Sequence, residues 1–273
     1  MKIIISHDVD HITAWEHRKD LIIPKFIVRS IIEFGTRNIS SAEVFSRMNS
    51  LFTNKWQNLN ELMDFNAANE IPATFFVAVS NGIGLSYDKV KAQYWIEQIA
   101  NAGFEVGIHG IKYSSYPEML DEFELFSSFV NHDHVGIRMH YLRSNEHTFK
   151  NMSRLGYRYD ASKFEVCDPY PLHGMWEFPV QIMDSYLMSN NNKWQDQKLT
   201  AFQDKTKRAL DEALNAKMNF FSILLHDFYF SDAFKTCKNW YLWLIDYLKI
   251  NNFNFTNYNQ AITELVSEYE QSS

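Results

Sequence analysis

The stretch that decides the fold is Lys2-Ile3-Ile4-Ile5-Ser6-His7-Asp8-Val9-Asp10-His11, at the start of a chain of 273 residues. Its three isoleucines predict a buried β-strand that ends among the polar residues behind them. Residues i and i+2 of a strand point to the same face, so we expect Asp8 and Asp10 to share one. Two carboxylates this close repel each other and need a cation, a shared proton or an arginine beside them.

Further apolar runs follow, and each alternates with a segment of helical spacing. We predict these strands at residues 73–79, 104–109, 135–140, 157–160, 176–183, 220–225 and 253–256. A βαβα order with about seven strands predicts an α/β fold built on a parallel sheet or barrel. The length fits one domain over residues 1–273, in which residues 14–70 form a helical insertion after the first strand, with Pro24 interrupting its first helix.

The composition narrows the class of protein. The chain is 46% hydrophobic and 16% aromatic, which fits a well-filled core, and its net charge is −7 without a basic run, so we expect no nucleic-acid partner. No apolar stretch approaches the roughly 20 residues of a membrane span. The apolar start is shorter than that of a signal peptide, and Cys167 and Cys237 are far apart, so we expect a cytoplasmic protein.

Residues able to bind a metal, transfer a proton or balance a charge recur where the predicted strands end. They are Asp8, Asp10, His109, Arg138, His140, Asp184 and His226. The carboxyl ends of parallel strands meet at one edge of an α/β fold, where active sites are built. We therefore expect these side chains to converge.

Asp and His together suit a borderline divalent metal such as zinc with one position open for water. Such a metal makes water acidic enough to attack a carbonyl near neutral pH. Asp10 and His109 are the natural ligands, Asp8 the base, Arg138 its charge partner and His226 the acid. This set favours metal-assisted hydrolysis of an amide or ester.

Four short motifs resemble those of the polysaccharide deacetylase superfamily, the NodB-homology or carbohydrate esterase family 4 group. They are Ser6–Asp10, Glu105–Gly110, Gly136–Arg138 and Ser222–Asp227, in the family's order. The resemblance implies a distorted (β/α) barrel, often of seven strands. It also implies removal of acetyl groups from N-acetylated sugars.

One departure from the family pattern concerns the metal. The family's second motif has another histidine four residues after the first, and here that position is Tyr113. His140 is the best replacement, because the Arg138–Arg143 segment resembles a His-Tyr-Leu-Arg form of the third motif. His11 is the second choice, and a metal-free protein is the remaining alternative.

The resemblance also suggests supporting residues. Asp184 is a candidate to orient His226, with Asp160 competing for that role. Tyr113, Trp176 and Tyr229 are candidate substrate contacts, since aromatic rings stack on sugars. The cluster His132, Asp133 and His134 sits at the amino end of a strand, where structural roles prevail.

The predicted function is a hydrolase, dependent on a divalent metal, zinc by preference, that removes N-acetyl or O-acetyl groups from a carbohydrate or glycoconjugate precursor. One alternative is a metal-free or non-sugar C–N hydrolase of the same superfamily. Another is an inactive carbohydrate-binding barrel. A glycosidase fits less well, because Asp8 and Asp10 on one strand are poorly placed to flank a glycosidic bond.

Overall fold

The structure is a computed structural model that describes residues 1–130, 135–190 and 194–272, with only the backbone given for 268–272. Residues 131–134, which include His132, Asp133 and His134, lie outside the described residues.

Ten strands form one sheet in the described ranges. They are β1 (Lys2–Val9), β2 (Thr74–Val77), β3 (Glu105–Gly110), β4 (Gly136–Met139), β5 (Tyr159–Asp160), β6 (Tyr170–Leu172), β7 (Met175–Glu177), β8 (Ile182–Met183), β9 (Phe220–Leu224) and β10 (Asn254–Thr256). Their order is β6-β7-β5-β4-β3-β2-β1-β9-β8, with β10 beside the first half of β1. Every pairing is parallel except that of β6 with β7.

Helices connect these strands. They are α1 (Ile22–Gly35), α2 (Ser41–Phe52), α3 (Leu59–Ala68), α4 (Lys89–Asn101), α5 (Tyr116–Ser127), α6 (Thr148–Leu155), α7 (Asp184–Met188), α8 (Leu199–Asn215), α9 (Lys235–Ile250) and α10 (Tyr258–Ser272). Short 3₁₀ turns lie at Ala14–His17, His140–Leu142, Asp227–Tyr229 and Asp232–Phe234. Across the described ranges, none of these helices combines the length and the apolar character that crossing a bilayer requires.

The sheet curls into a distorted (β/α) barrel, which confirms the predicted fold class. The segment predicted as one strand over residues 176–183 is instead two short strands. β7 pairs with β5 and β8 pairs with β9, so the chain crosses between the two sides at Phe178–Gln181. Pro179 has no N–H for a ladder at this crossing, and Val180 donates to Lys163 O at 2.8 Å.

Alternate side chains of β1 pack into two different parts of the core. Ile3, Ile5 and Val9 pack outward under the helices, whereas Ile4 packs inside the barrel. Because side chains alternate along a strand, Asp8 lies on the same inner face as Ile4. The strand that fills the barrel therefore also carries the first acidic residue to its open end.

Helices α1, α2 and α3 occupy the insertion between β1 and β2. Pro24 does not interrupt α1 as predicted, because the helix begins at Ile22 and Pro24 stands in its first turn. The N–H groups of a first turn have no partner inside the helix, so proline is tolerated there. Glu33 of α1 is fully buried and binds Arg29 and Arg47, each at 2.6 Å, which ties α1 to α2.

Candidate functional site

Asp10, His109 and His140 meet at the carboxyl ends of β1, β3 and β4. Asp10 Oδ1 lies 3.1 Å from His109 Nε2 and 3.3 Å from His140 Nδ1, and the two ring nitrogens are 3.0 Å apart. Ligands held at about 2.0–2.2 Å in a tetrahedral zinc site lie roughly 3.3 Å from one another. The three donor atoms therefore form a triangle of the size that such a metal needs.

Backbone carbonyl groups orient both rings of this group. His109 Nδ1 donates to Arg138 O, and His140 Nε2 donates to Ile83 O, each at 3.0 Å. A neutral imidazole has only one N–H, so in the neutral form of each ring the nitrogen that faces Asp10 carries a lone pair. Burial would lower the pKa of His140, but the Asp10 carboxylate raises it, so a cation bound among these three atoms would take the place of a proton.

The 3₁₀ turn that carries His140 has an unusual backbone. Tyr141 and Leu142 both have positive φ, 57° and 52°, which non-glycine residues adopt at a cost. Gly84 has a φ of 79°, and a Cβ on it would stand 2.5 Å from the Tyr141 hydroxyl, so a larger residue there would be strained. This close approach keeps the 83–84 segment against His140.

Asp8 is held by a buried arginine beside the three donor atoms. Arg138 Nη1 donates to Asp8 Oδ1 at 2.9 Å, and Asp8 Oδ2 lies 3.9 Å from His109 Nε2. Burial raises the pKa of Asp8, but Arg138, together with His109 and His226, outweighs it and holds that pKa below its usual range. The second oxygen of Asp8 thus faces the site as a carboxylate.

Arg138 has further partners of its own. Its Nη2 donates to the Tyr258 hydroxyl at 2.7 Å, its Nε donates to Ala161 O at 3.0 Å, and its guanidinium stacks on Phe76 at 4.4 Å. Tyr258 opens α10 and is fully buried inside the barrel. Nothing in the sequence around Tyr258 marks it as a neighbour of the site.

His226 reaches the site from the end of β9 and is oriented by Asp184. Its Nδ1 donates to Asp184 Oδ1 at 2.9 Å, and its backbone N–H donates to Asp184 Oδ2 at 2.6 Å. Nε2 then lies 3.7 Å from Asp10 Oδ2. Burial would lower the pKa of His226, but the Asp184 carboxylate raises it to about 10.

Asp160, the competing candidate, has other partners. It accepts from Ser162 Oγ at 2.5 Å and interacts with the buried Glu177. Burial raises the pKa of both carboxyl groups, so the pair retains a proton. Of the two candidates, Asp184 contacts His226 in the structure and Asp160 does not.

His11 lines the same cavity but does not join the three converging ligand atoms. Its Nδ1 is 2.9 Å from His17 Nε2, and His17 Nδ1 is 2.9 Å from Asp20 Oδ2. Its ring packs edge-on against Trp56 and Phe228. Burial lowers the pKa of His11 to about 3, so the ring is neutral.

The three candidate substrate contacts lie in different places. Tyr229 lines the cavity above the site. Tyr113 packs against the outer core, because Glu122 binds the N–H groups of Ile111 and Lys112 and turns the chain away after β3. Trp176 packs against the barrel-interior cluster. The structure therefore brings only Tyr229 of the three to this cavity.

The cavity over the strand ends has a volume of about 900 Å³ and a second wall that the sequence did not suggest. This wall is one face of α1, and it includes Val28, Arg29 and Ile32. Helical spacing in residues 14–36 predicts a helix but does not say what its apolar face covers.

Comparisons with known proteins give neighbours only at the level of structure. No family model matches the chain, and no curated protein matches it. A provisionally assigned polysaccharide deacetylase from Mycobacterium smegmatis has a TM-score of 0.67 at 15% identity, covering 98% of this chain and 91% of its own.

Two further solved structures are similar. A CE4 family pseudoenzyme from Bacillus anthracis has a TM-score of 0.51 at 11% identity, covering 95% of this chain and 64% of its own. A 4-alpha-glucanotransferase from Thermococcus litoralis has a TM-score of 0.52 at 10% identity, covering 96% of this chain and 38% of its own. At such identities the likeness concerns the fold.

Proposed function

We propose that this chain, which has the fold of the polysaccharide deacetylase superfamily, is a metal-dependent hydrolase that removes an N-acetyl or O-acetyl group from a carbohydrate or glycoconjugate. A shared fold does not decide activity, and one neighbour is itself described as a pseudoenzyme. The proposal therefore depends on the site.

The observation that carries the proposal is the convergence of three possible ligand atoms, one each from Asp10, His109 and His140. One carboxylate and two imidazoles suit zinc among the common divalent metals, and we propose these three residues as its ligands. A divalent metal bound there would supply a Lewis acid that polarises the acyl carbonyl and acidifies water.

Asp8 is the proposed general base. Its Oδ1 is occupied by Arg138, while Oδ2 faces the three donor atoms and can accept a proton from the attacking water. The buried guanidinium favours the ionised carboxylate, which a base requires.

His226 is the proposed general acid. Asp184 accepts a hydrogen bond from Nδ1–H, which leaves Nε2 directed towards Asp10. From there Nε2 can protonate the amine or alcohol that leaves when the acyl bond breaks. Asp184 is a positioning residue in this scheme, because it acts through His226.

Two alternatives are distinguished by metal content and turnover. A metal-free hydrolase of a non-sugar C–N bond would keep its activity after chelation. An inactive carbohydrate-binding barrel would bind acetylated glycans without releasing acetate. The pairs Asp8–Arg138 and Asp184–His226 favour an active hydrolase, because a binding protein has no need of both.

The experiment measures acetate release from N-acetylglucosaminides by protein purified without chelator. Asp8→Asn should lower the rate by about 10³-fold or more while leaving bound metal and fold unchanged, because an amide cannot take the proton. Asp168→Asn is the matched control, since Asp168 accepts hydrogen bonds from the backbone of Asn219 and Phe220 away from the site. An unchanged rate for Asp8→Asn would refute the assignment of the base.

A further inference from the structure

The cavity above the strand ends has two chemically different walls. One wall carries the polar residues of the proposed site, such as Asp10 and His226, and the other is a face of α1. The lining residues of this face recur at helical spacing: Leu21, which immediately precedes α1, Lys25, Val28 and Ile32 stand at i, i+4, i+7 and i+11. We call the three apolar residues, Leu21, Val28 and Ile32, and the surface that they form the α1 wall.

The α1 wall is apolar and open. Leu21 is 66% exposed and Val28 54% exposed, although both belong to a cavity lining rather than to an outer surface. A helix of a globular protein normally turns such a stripe to the core, and open apolar area beside a binding site indicates a ligand with an apolar part. Phe26 of α1 and Trp56 also line the cavity.

A bare sugar fits the α1 wall poorly. Sugar rings present hydroxyl groups on most sides, and a hydroxyl buried without a hydrogen-bond partner costs free energy. The side chains of Leu21, Val28 and Ile32 offer neither donor nor acceptor, and the charged groups of this helix in the lining are those of Lys25 and Arg29. The polar wall can bind the acetylated sugar, whereas the α1 wall suits hydrocarbon.

A series of contacts leads from His226, the proposed acid, to α1. The α1 wall therefore lies on the side of the cavity where the leaving group departs. His226 Nε2 is 3.7 Å from Asp10 Oδ2, and the His226 ring is 5.9 Å from the Tyr229 ring. The Tyr229 hydroxyl is in turn 3.5 Å from Arg29 Nη1 on α1. Because His226 protonates the leaving group in the proposed function, the part of the substrate beyond it is the sugar and its substituents.

We infer that the substrate is an acetylated sugar that carries an apolar chain on its aglycone, and that this chain lies along the α1 wall. The inference rests on the proposed function for its polar end. It names the substrate class as a glycolipid or lipid-linked sugar and not a free polysaccharide.

The test uses N-acetylglucosaminides with methyl, butyl and octyl aglycones, each below its micelle concentration. Dissociation constants are measured by calorimetry with Asp8→Asn, and kcat/KM is measured with the unmodified protein. Burial of each methylene is favourable, so both measures should improve at least about tenfold from methyl to octyl. Val28→Ser should reduce this octyl-to-methyl ratio several-fold.

Phe52→Ser is the matched control, because Phe52 is an 86% exposed residue of α2 outside the cavity lining. It should leave the octyl-to-methyl ratio unchanged. A second series lengthens the N-acyl group on the methyl glycoside. A gain from the acyl chain, and none from the aglycone, would overturn the inference.

The remaining outcomes are also decisive. Equal methyl and octyl values would overturn the inference, as would a dimer in solution that Val28→Ser dissociates, since a second copy would then cover the α1 wall. Chain-length-dependent binding without acetate release from any substrate would support the inference and refute the proposed function. Acetate release that is independent of chain length would support the proposed function and refute the inference about the apolar chain.

Discussion

The two walls of the cavity are built in different ways. The polar wall consists of strand ends, where the parallel register sets His109 of β3 opposite Arg138 of β4. The α1 wall belongs to an insertion that is fixed by side-chain contacts, such as the bond of Glu33 to Arg47. Hydrogen bonds between strands fix the positions of the proposed catalytic residues. A helix held by side-chain packing can instead vary the surface that contacts the substrate.

The largest difference should appear between two arginines, one buried behind the polar wall and one on α1 beside the α1 wall. Arg138→Met leaves Asp8 buried without its partner, and we expect the free energy of unfolding to fall by about 3–5 kcal/mol. Arg29→Met on α1 should cost less, about 2 kcal/mol, because the buried Glu33 keeps its bond to Arg47. Urea unfolding of both variants measures this. Equal losses would show that the two walls are equally dependent on charge pairing.

The next prediction concerns the positioning of His226. Asp184→Asn removes the carboxylate that orients Nδ1 and should lower kcat by about 100-fold or more. Asp160→Asn is the control. Asp160 and Glu177 already share a proton, and the N–H of an asparagine amide can donate a hydrogen bond in its place. Its kcat should stay within a few-fold of the unmodified protein. The reverse result would assign the positioning role to Asp160.

The smallest effect is expected on the α1 wall. Val28→Ser should change the free energy of unfolding by no more than about 0.5 kcal/mol, because Val28 is more than half exposed. Thermal unfolding of the purified variant measures this. A loss of 2 kcal/mol or more would mean that Val28 belongs to the packed core rather than to an open wall.

The polar wall could be predicted from the sequence in large part. Apolar runs ending in Asp8, His109, Arg138 and His226 are local signals, and the rule that parallel strand ends meet brings them together. The fold class was predicted correctly on the same grounds. His140 as the donor beside Asp10 came from a motif resemblance and its place on a strand.

The remaining features depend on contacts that no local pattern encodes. Tyr258 reaches Arg138 from 120 residues away, and Glu122 turns Tyr113 out of the cavity. The division of residues 176–183 follows from a change of partner strand between β7 and β8. The open face of α1 appears only once its neighbours are in place, because amphipathic spacing says that a face is apolar and not what covers it.

The most direct test of the central claim is the zinc content of His140→Ala, measured by elemental analysis after purification without chelator. The unmodified protein should hold about one metal ion per chain, and His140→Ala should hold almost none, because Asp10 and His109 alone leave a tetrahedral site half empty. His11→Ala is the control and should keep its metal, since His11 faces His17. Full metal content in His140→Ala, or loss of metal in His11→Ala, would contradict the account.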